Sequence, residues 1–535
     1  MKGQGSPPTF SKTAYRSWLS GLFLIVLLSQ PCLAFDTGHH TDLTRNALLR
    51  EGFNDDAINI VTVDNWLTDL YSATPSSLLS SEFVREIYPK TGGQIVIKSY
   101  TSELHFDNLF DNRQIEIYWR RLISNTQKAI AAKAGPKPDI PALLAILGMS
   151  LHAVQDFYSH SNWVQRYGST DNFASKTWLD VASSTEPMQE LHTGWYDFKE
   201  PIKNGQERHD DFNKVVGLNK DSYSRPDWER AYVFAYSATR QWIREFRKWL
   251  WIARIPYNDI GEPVWDQMMK YSCGVNFIAL MQDLSFAYHM SEWVDSPLAS
   301  TSGKWKGNGS RNLLMAPSAF NAWAHRIPDS EQELQFTQKE IYGLLVEGLY
   351  DFVTPVPNLP AIGNTNASGE KALIVRTIEI KGFPIKIQTP DPPFPINTQT
   401  PDLPEFLNNM YAKLNFSDGN RYSQDLIEST QQGKPIVTGD DMKWESIVFV
   451  PGDTQKININ YDLFDERGWN SEIVNITSSP NGSTGLRFSY VFGSGTCSGD
   501  VNGRFNSRDN AFSTGNPTSA NRGLIRFFVT EKSLR

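Results

Sequence analysis

The chain has 535 residues, of which 40% are hydrophobic, 12% aromatic and 21% charged; this globular composition is long enough for two or more cores and argues against a single domain. Its formal net charge of −8, with no Lys/Arg cluster, argues against electrostatic binding of nucleic acid.

The first 34 residues have a mildly basic start followed by "WLSGLFLIVLLSQPCLA", whose apolar core Leu22 to Leu28 is too short to span a bilayer. This pattern predicts a signal peptide over 1–34, cut between Ala34 and Phe35, and therefore a secreted or periplasmic protein. Cleavage makes Phe35 the new N-terminus, four positions before His39. Of the three cysteines, Cys273 and Cys497 lie beyond the signal; they form one disulfide or stay as two thiols.

Residues 35–353 read as helical, because "LTRNALLREGF", "RQIEIYWRRLISNTQKAIAAKAG", "PALLAILGMSLHAVQDFY", "RAYVFAYSATRQWIREFRKWLWIAR" and "QKEIYGLLVEGLYDF" repeat apolar residues at steps of three and four. Seven of the nine histidines fall between His39 and His209. In "FDTGHHTDLTRNAL" the turn at Gly38 delivers His40 into the first turn of a helix, while the adjacent His39 points elsewhere. In "ELHFDN" an extended backbone would put His105 and Asp107 on one face. In "LHAVQDFYSHSNW" steps of four residues place His152, Asp156 and His160 on one stripe of an otherwise apolar helix. Buried ionisable groups need a partner or a metal, so the stripe is either a polar seam or a set of ligands. Histidine beside aspartate is a donor combination that suits zinc.

The prolines of "PVPNLP" and "TPDPPFPINTQTPDLPEF" cannot continue a helix, so 354–434 is expected to be a Pro-rich connection. From 435 to 535 short β-branched and aromatic segments such as "ESIVFVP", "KININYDLF", "LRFSYVF" and "GLIRFFVTE" predict an all-β sandwich. Within it Asp462 and Asp465 read as a strand-end loop and Asp500 lies in "CSGDVNG"; hard oxygen donors on such loops suit calcium, and the alternative is an acidic, solvated turn.

With "GHHTDLTRNAL", "LHFDN", "HAVQDFYSHSNW" and "GLNKDS" in this order, residues 35–245 resemble the Het-C-like branch of the zinc-dependent phospholipase C and S1/P1 nuclease superfamily. More closely, they resemble bacterial secreted phosphatidylcholine-hydrolysing phospholipases C. The resemblance implies a helical catalytic bundle of the phospholipase C/P1 nuclease type, followed by a C2- or PLAT-like sandwich. It also implies two or three zinc ions and hydrolysis of the glycerol-side phosphodiester of a membrane phospholipid by a metal-activated hydroxide. Carried over by position, the ligands are His40, Asp69, His105, His152, Asp156, His160 and His209, and Asp69 or Asp156 supplies the catalytic carboxylate edge. Phe35, His39, Asp64, Asp107 and Asp221 are placed at or beside the metals, Asp64 being the alternative to Asp69 as bridging carboxylate.

The chain departs from the family pattern in three places. Asn162 stands where relatives place the third ligand of the central block, eight residues after the first being His160 instead. His209 is followed at the fourth position by Asn213 rather than an acid, and Asp221 is the replacement. Trp228 and Glu229 occupy positions where relatives often carry histidine. Two other readings stay open: a secreted S1/P1-type nuclease, and a non-catalytic Het-C-like recognition or toxin protein whose metal site is structural.

Overall fold

The computed structural model describes residues 37–72, 104–168, 176–195, 207–209, 218–221, 225–257, 263–272, 340–360, 367, 369–382, 410–418, 421–427, 437–438, 445–467, 470–477, 484–506, 508–514 and 523–534. The signal-peptide expectation, Phe35 and Cys273 lie outside these residues.

The described N-terminal part is helical: α1 (Thr37–Glu51), α2 (Asp55–Ser72), α3 (Asn112–Lys133), α4 (Ile140–His160), α5 (Trp163–Tyr167), α6 (Trp178–Ala182), α7 (Trp228–Arg254) and α8 (Val264–Met269). At the centre is α4, packed against α2, α3, α7 and α8. It starts where Asp139 accepts a hydrogen bond from the Ala142 amide, with a proline in the first turn, and every residue from Ala142 to His160 is buried. Although α4 is long and apolar enough to cross a bilayer, it is buried inside the bundle. Gly148 lets α2 come close, since a Cβ there would meet the Val61 carbonyl and lie 2.9 Å from Asp64 Cβ. Aromatic rings fill the space below, with Trp119 stacked on Trp178 at 5.0 Å and Phe106 wedged among Tyr118, Trp119 and Phe157.

The described C-terminal part consists of antiparallel sheets. One contains β1 (Lys371–Gly382), β4 (Val437–Thr438), β5 (Glu445–Val450), β11 (Ala511–Thr514) and β12 (Gly523–Ser533), in the order β11-β12-β1-β4 with β5 also on β1. The other contains β2 (Met410–Ser417), β3 (Arg421–Ile427), β6 (Lys456–Arg467), β7 (Asn470–Val474), β8 (Leu486–Val491), β9 (Thr496–Gly499) and β10 (Gly503–Arg504), in the order β10-β9-β8-β6-β2-β3 with β7 also on β6. The inner faces share a core in which Phe527 meets Tyr461 and Phe488 at 5.9 and 5.4 Å.

Strands β1, β2 and β3 fall within 354–434, where a Pro-rich connection was expected, so the sheet region starts at Lys371. The difference has a packing reason. On β1, Leu373 and Val375 enter the sandwich while Ala372 and Ile374 join the core of the helices, and on β5 every residue is buried. Strands buried on both faces read as continuous apolar runs ("ALIV", "IVFV") rather than as alternation. The same burial joins the two parts: Phe449 of β5 lies flat on Tyr236 of α7 at 3.6 Å. Arg50, near the end of α1, donates to the Phe449 carbonyl at 3.1 Å and to Asp418 at 2.9 Å.

Candidate metal centre

Three segments bring the histidines together: the start of α1, the turn before α3 and the C-terminal half of α4. On α4, His152 and Asp156 are one turn apart, and the Asp156 carboxylate is wholly buried. Its Oδ1 lies 3.0 Å from His40 Nε2, and its Oδ2 lies 2.8 Å from His105 Nδ1 and 3.1 Å from His152 Nε2. The His40 and His152 rings stack at 4.3 Å.

Neighbouring amides assign the tautomers. Asn65 uses its amide nitrogen on Thr44 (3.0 Å) and on Gln155 Oε1 (3.1 Å), which leaves its oxygen to accept from His152 Nδ1 at 3.2 Å. Gln155 donates to Thr44 and Thr239 at 3.0 and 3.1 Å, and its oxygen accepts from His40 Nδ1 at 2.5 Å. With Nδ1 engaged by these amides, Nε2 of each ring is directed at the Asp156 carboxylate, and that of His152 also lies 3.2 Å from His105 Nδ1. Burial pushes His152 down to about 3, so it stays neutral. Burial also works to raise Asp156, but the imidazoles of His152, His40 and His160 outweigh it and hold the carboxyl well below its ordinary range. With Nε2 of His40 and of His152 at 3.0 and 3.1 Å from the Asp156 carboxylate, the three side chains form a group of donors that could hold a metal ion.

The turn at Leu104–Asn108 is not the extended segment that the "HFD" spacing suggested. Leu104, Phe106 and Asn108 have φ of 67°, 53° and 62°, so left-handed residues alternate with His105 and Asp107. Each non-glycine in that region costs about 1–3 kcal/mol and persists only where its surroundings hold it. Here the Leu104 amide donates to Tyr118 OH at 2.9 Å, the Asn108 amide to the Gly194 carbonyl at 3.0 Å, and Tyr350 OH to the Asp107 carbonyl at 2.6 Å. The result is that His105 and Asp107 serve two adjacent groups of donors.

The second group lies at the end of α4. His160 Nδ1 donates to the His105 carbonyl at 2.8 Å and is 3.3 Å from Asp107, while its Nε2 is 3.1 Å from Asp221. His209 is edge-on to His160 at 4.3 Å, with Nε2 3.9 Å from Asp221 Oδ2. The backbone carries His209 there: its amide donates to the Trp195 carbonyl, and its carbonyl accepts from the Asn219 amide, both at 3.0 Å. Gly194 permits the approach, because a Cβ would lie 2.7 Å from His209 Cα. Although burial disfavours the His160 cation, the carboxylates of Asp107, Asp221 and Asp156 raise its pKa well above the ordinary value. A proton on His160 thus balances the charge of the neighbouring carboxylates.

The donor atoms of His40, His152 and Asp156 lie within 4.8 Å of one another, as do those of Asp107, His160 and His209, and these are the two such groups among the described residues. Asp156 Oδ1 and Asp221 Oδ2 are buried without a hydrogen bond. Mixed imidazole and carboxylate donors suit zinc or a similar divalent ion, so the residues fit the metals that the resemblance implies.

Other expected positions behave differently. His39 turns away from the centre, its ring 4.9 Å from Trp228 and 5.9 Å from Tyr232. Asp64 is buried on α2 beside Gly148; Asp69 lies on α2 one turn beyond Asn65, its side chain outside the described set. Asn162 accepts from the His192 amide at 3.0 Å and donates to the Glu190 carbonyl at 3.2 Å, which makes it a clamp on a neighbouring segment. In the sheets, Asp462 and Asp465 sit in strand β6 rather than in a loop. Asp462 accepts from the Arg487 guanidinium and Asp500 from the Arg487 amide, each at 2.7 Å. These two carboxylates thus converge on one arginine. Asn65, Gln155 and Lys220 also belong to the centre; for Gln155 the sequence sign is an amide next to Asp156 on an apolar helix.

The model of the VWA7 N-terminal domain matches residues 61–188, a stretch that holds Asn65, His105, Asp107, His152, Asp156 and His160, while His40, His209 and Asp221 fall outside it. No curated protein matches the chain. Among solved structures, the alpha toxin from Clostridium absonum aligns with 77% of this chain and 98% of its own at 12% identity, with a TM-score of 0.09, too low to infer a common fold.

Proposed function

We propose that the helical part is a divalent-metal phosphodiester hydrolase of the phospholipase C class, cleaving phospholipids to diacylglycerol and a phosphorylated head group. The observation that carries this reading is the pair of buried His/Asp donor groups joined through His105, the donor atoms of each lying within 4.8 Å of one another. His40, His152 and Asp156, with His105, would hold one cation; Asp107, His160 and His209, with Asp221, the other. Bound cations would make water acidic enough to ionise near neutrality and would neutralise the phosphoryl oxygens and the leaving alkoxide.

The chain's own groups divide the remaining work. Asp156 has both oxygens against imidazoles, which suits charge compensation. Asp221 Oδ2, buried without a hydrogen bond, is assigned to accept the proton of the attacking water. Asn65 and Gln155 hold His152 and His40 in the tautomer that ligation requires. The net charge of −8 favours a lipid head group over a polynucleotide.

One observation favours a non-catalytic metal site: His40, His105, His152, Asp156, His160 and His209 are all at most 1% exposed, as in closed structural sites. Phosphatidylcholine hydrolysis, measured before and after chelation and zinc return with single-stranded DNA in parallel, separates the readings. Diacylglycerol release that disappears and returns with zinc supports the phospholipase. Nucleotide release marks a nuclease, and bound metal without turnover of either substrate marks a structural site.

A further inference from the structure

Lys220 is 1% exposed, and its ammonium donates to three backbone carbonyls: Leu218 and Ser161 at 2.8 Å and Ser159 at 3.2 Å. Burying an ammonium costs several kcal/mol unless its protons are satisfied, and here all three have acceptors. The acceptors are not scattered. Ser159 and Ser161 flank His160 at the C-terminal end of α4, where helix carbonyls lack partners within the helix and the helix dipole favours a cation. Leu218 opens the segment that carries Asp221, and that segment pairs with the strand of His209 through Leu218 N to Arg208 O and Asn219 N to His209 O, both at 3.0 Å. One buried ammonium therefore ties the end of α4 that delivers His160 to the segment that delivers Asp221, and the His209 segment is paired to the latter through its backbone.

We infer that Lys220 is a positioning residue for the second metal: it fixes the end of α4 against the 218–221 segment and so sets the 3.1 Å separation of His160 Nε2 and Asp221 Oδ1. This inference rests on the two-metal reading of the site. It assigns Lys220 no contact with the first group, whose donors come from α1, α4 and the His105 turn.

Zinc titration of the full, chelated chain tests it, with cobalt(II) spectra identifying each site. The native protein is expected to take up two equivalents. Lys220→Met is expected to keep the first within about threefold and to weaken the second about 10–100-fold, the range seen when groups that orient ligands are removed. Only one of the two cobalt signatures should change. Native-like binding of both ions by Lys220→Met overturns the positioning role, and so does equal weakening of both, which marks a general folding role. If Lys220→Met does not fold, Lys220→Arg is judged by the same two criteria, since it keeps the charge but displaces the donors. Failure of the native protein to bind two ions overturns the metal reading itself, and this inference with it.

Discussion

Nδ1 of His105 lies 2.8 Å from Oδ2 of Asp156, across 51 positions of sequence, while the carbonyl of the same histidine accepts from His160 at the same distance. One residue, held between the left-handed Leu104 and Phe106, thus spans both donor groups, its ring in one and its backbone in the other. The first group should be the more sensitive to charge, because Asp156 is its carboxylate and faces three imidazoles.

Asp156→Asn keeps the volume and removes the charge. It is expected to lose the first metal and to reduce phosphodiester hydrolysis by at least about 100-fold. Elemental analysis of the purified variant beside a diacylglycerol assay checks this, and retention of both metals with near-native turnover would remove Asp156 from the site.

Asn65 touches no proposed metal, yet it is the acceptor for His152 Nδ1 at 3.2 Å. Asn65→Ala leaves that N–H without its acceptor inside the core and frees the ring to change tautomer. The expected result is first-site affinity about 10–100-fold lower, with a loss of stability of about 1–3 kcal/mol. Competition with a chromophoric chelator and a denaturant titration read the two effects. Unchanged affinity would mean that packing alone orients His152.

Legibility in the sequence followed periodicity. The helices and the His152–Asp156–His160 stripe are local patterns, and the stripe's three residues all reach donor groups. The "HFD" spacing reads as extended because a two-residue step fits both a strand and a turn with alternating left-handed residues, and only tertiary contacts such as Tyr118 OH with Leu104 stabilise the latter. β1 was hidden for another reason: prolines bracket it, and a strand packed on both faces has no alternation to detect. Lys220 carries no sequence sign, since its role depends on carbonyls about 60 positions away, as the separation of 61 from Ser159 shows.

Calcium provides a test in the sheets. Arg487 already supplies positive charge to Asp462 and its amide to Asp500, so these carboxylates need no cation. Addition of about 1 mM calcium, where weak extracellular sites fill, is expected to move the unfolding temperature of the chain by less than about 1 °C. A rise of several degrees, abolished by Asp462→Asn, would restore the loop-type calcium reading.

Glu445 gives the join between helices and sheets a pH dependence. Arg376 of β1 is shared between Glu445 of β5 and Glu229 of α7, the latter at 2.9 Å. Burial, reinforced by the charge of Glu229 and only partly opposed by Arg376, pushes the Glu445 carboxyl up from 4.5 to about 8. Its Oε1 is buried without a hydrogen bond, as suits a protonated acid. Between those two values the folded chain holds a proton that the unfolded chain has released. Stability from this group is therefore complete below about 4.5 and is lost as pH rises through about 8. From pH 5 to 9 the unfolding temperature should fall by at least about 2–4 °C, which corresponds to about 1 kcal/mol. Glu445→Gln imitates the neutral acid in shape and charge, so the variant should lose this slope and be the more stable protein at pH 9. Thermal unfolding of both proteins across that range decides it: equal slopes with equal stability would place the titrating group elsewhere, and equal slopes with a variant less stable throughout would mean that Glu445 is ionised at the interface and held by Arg376.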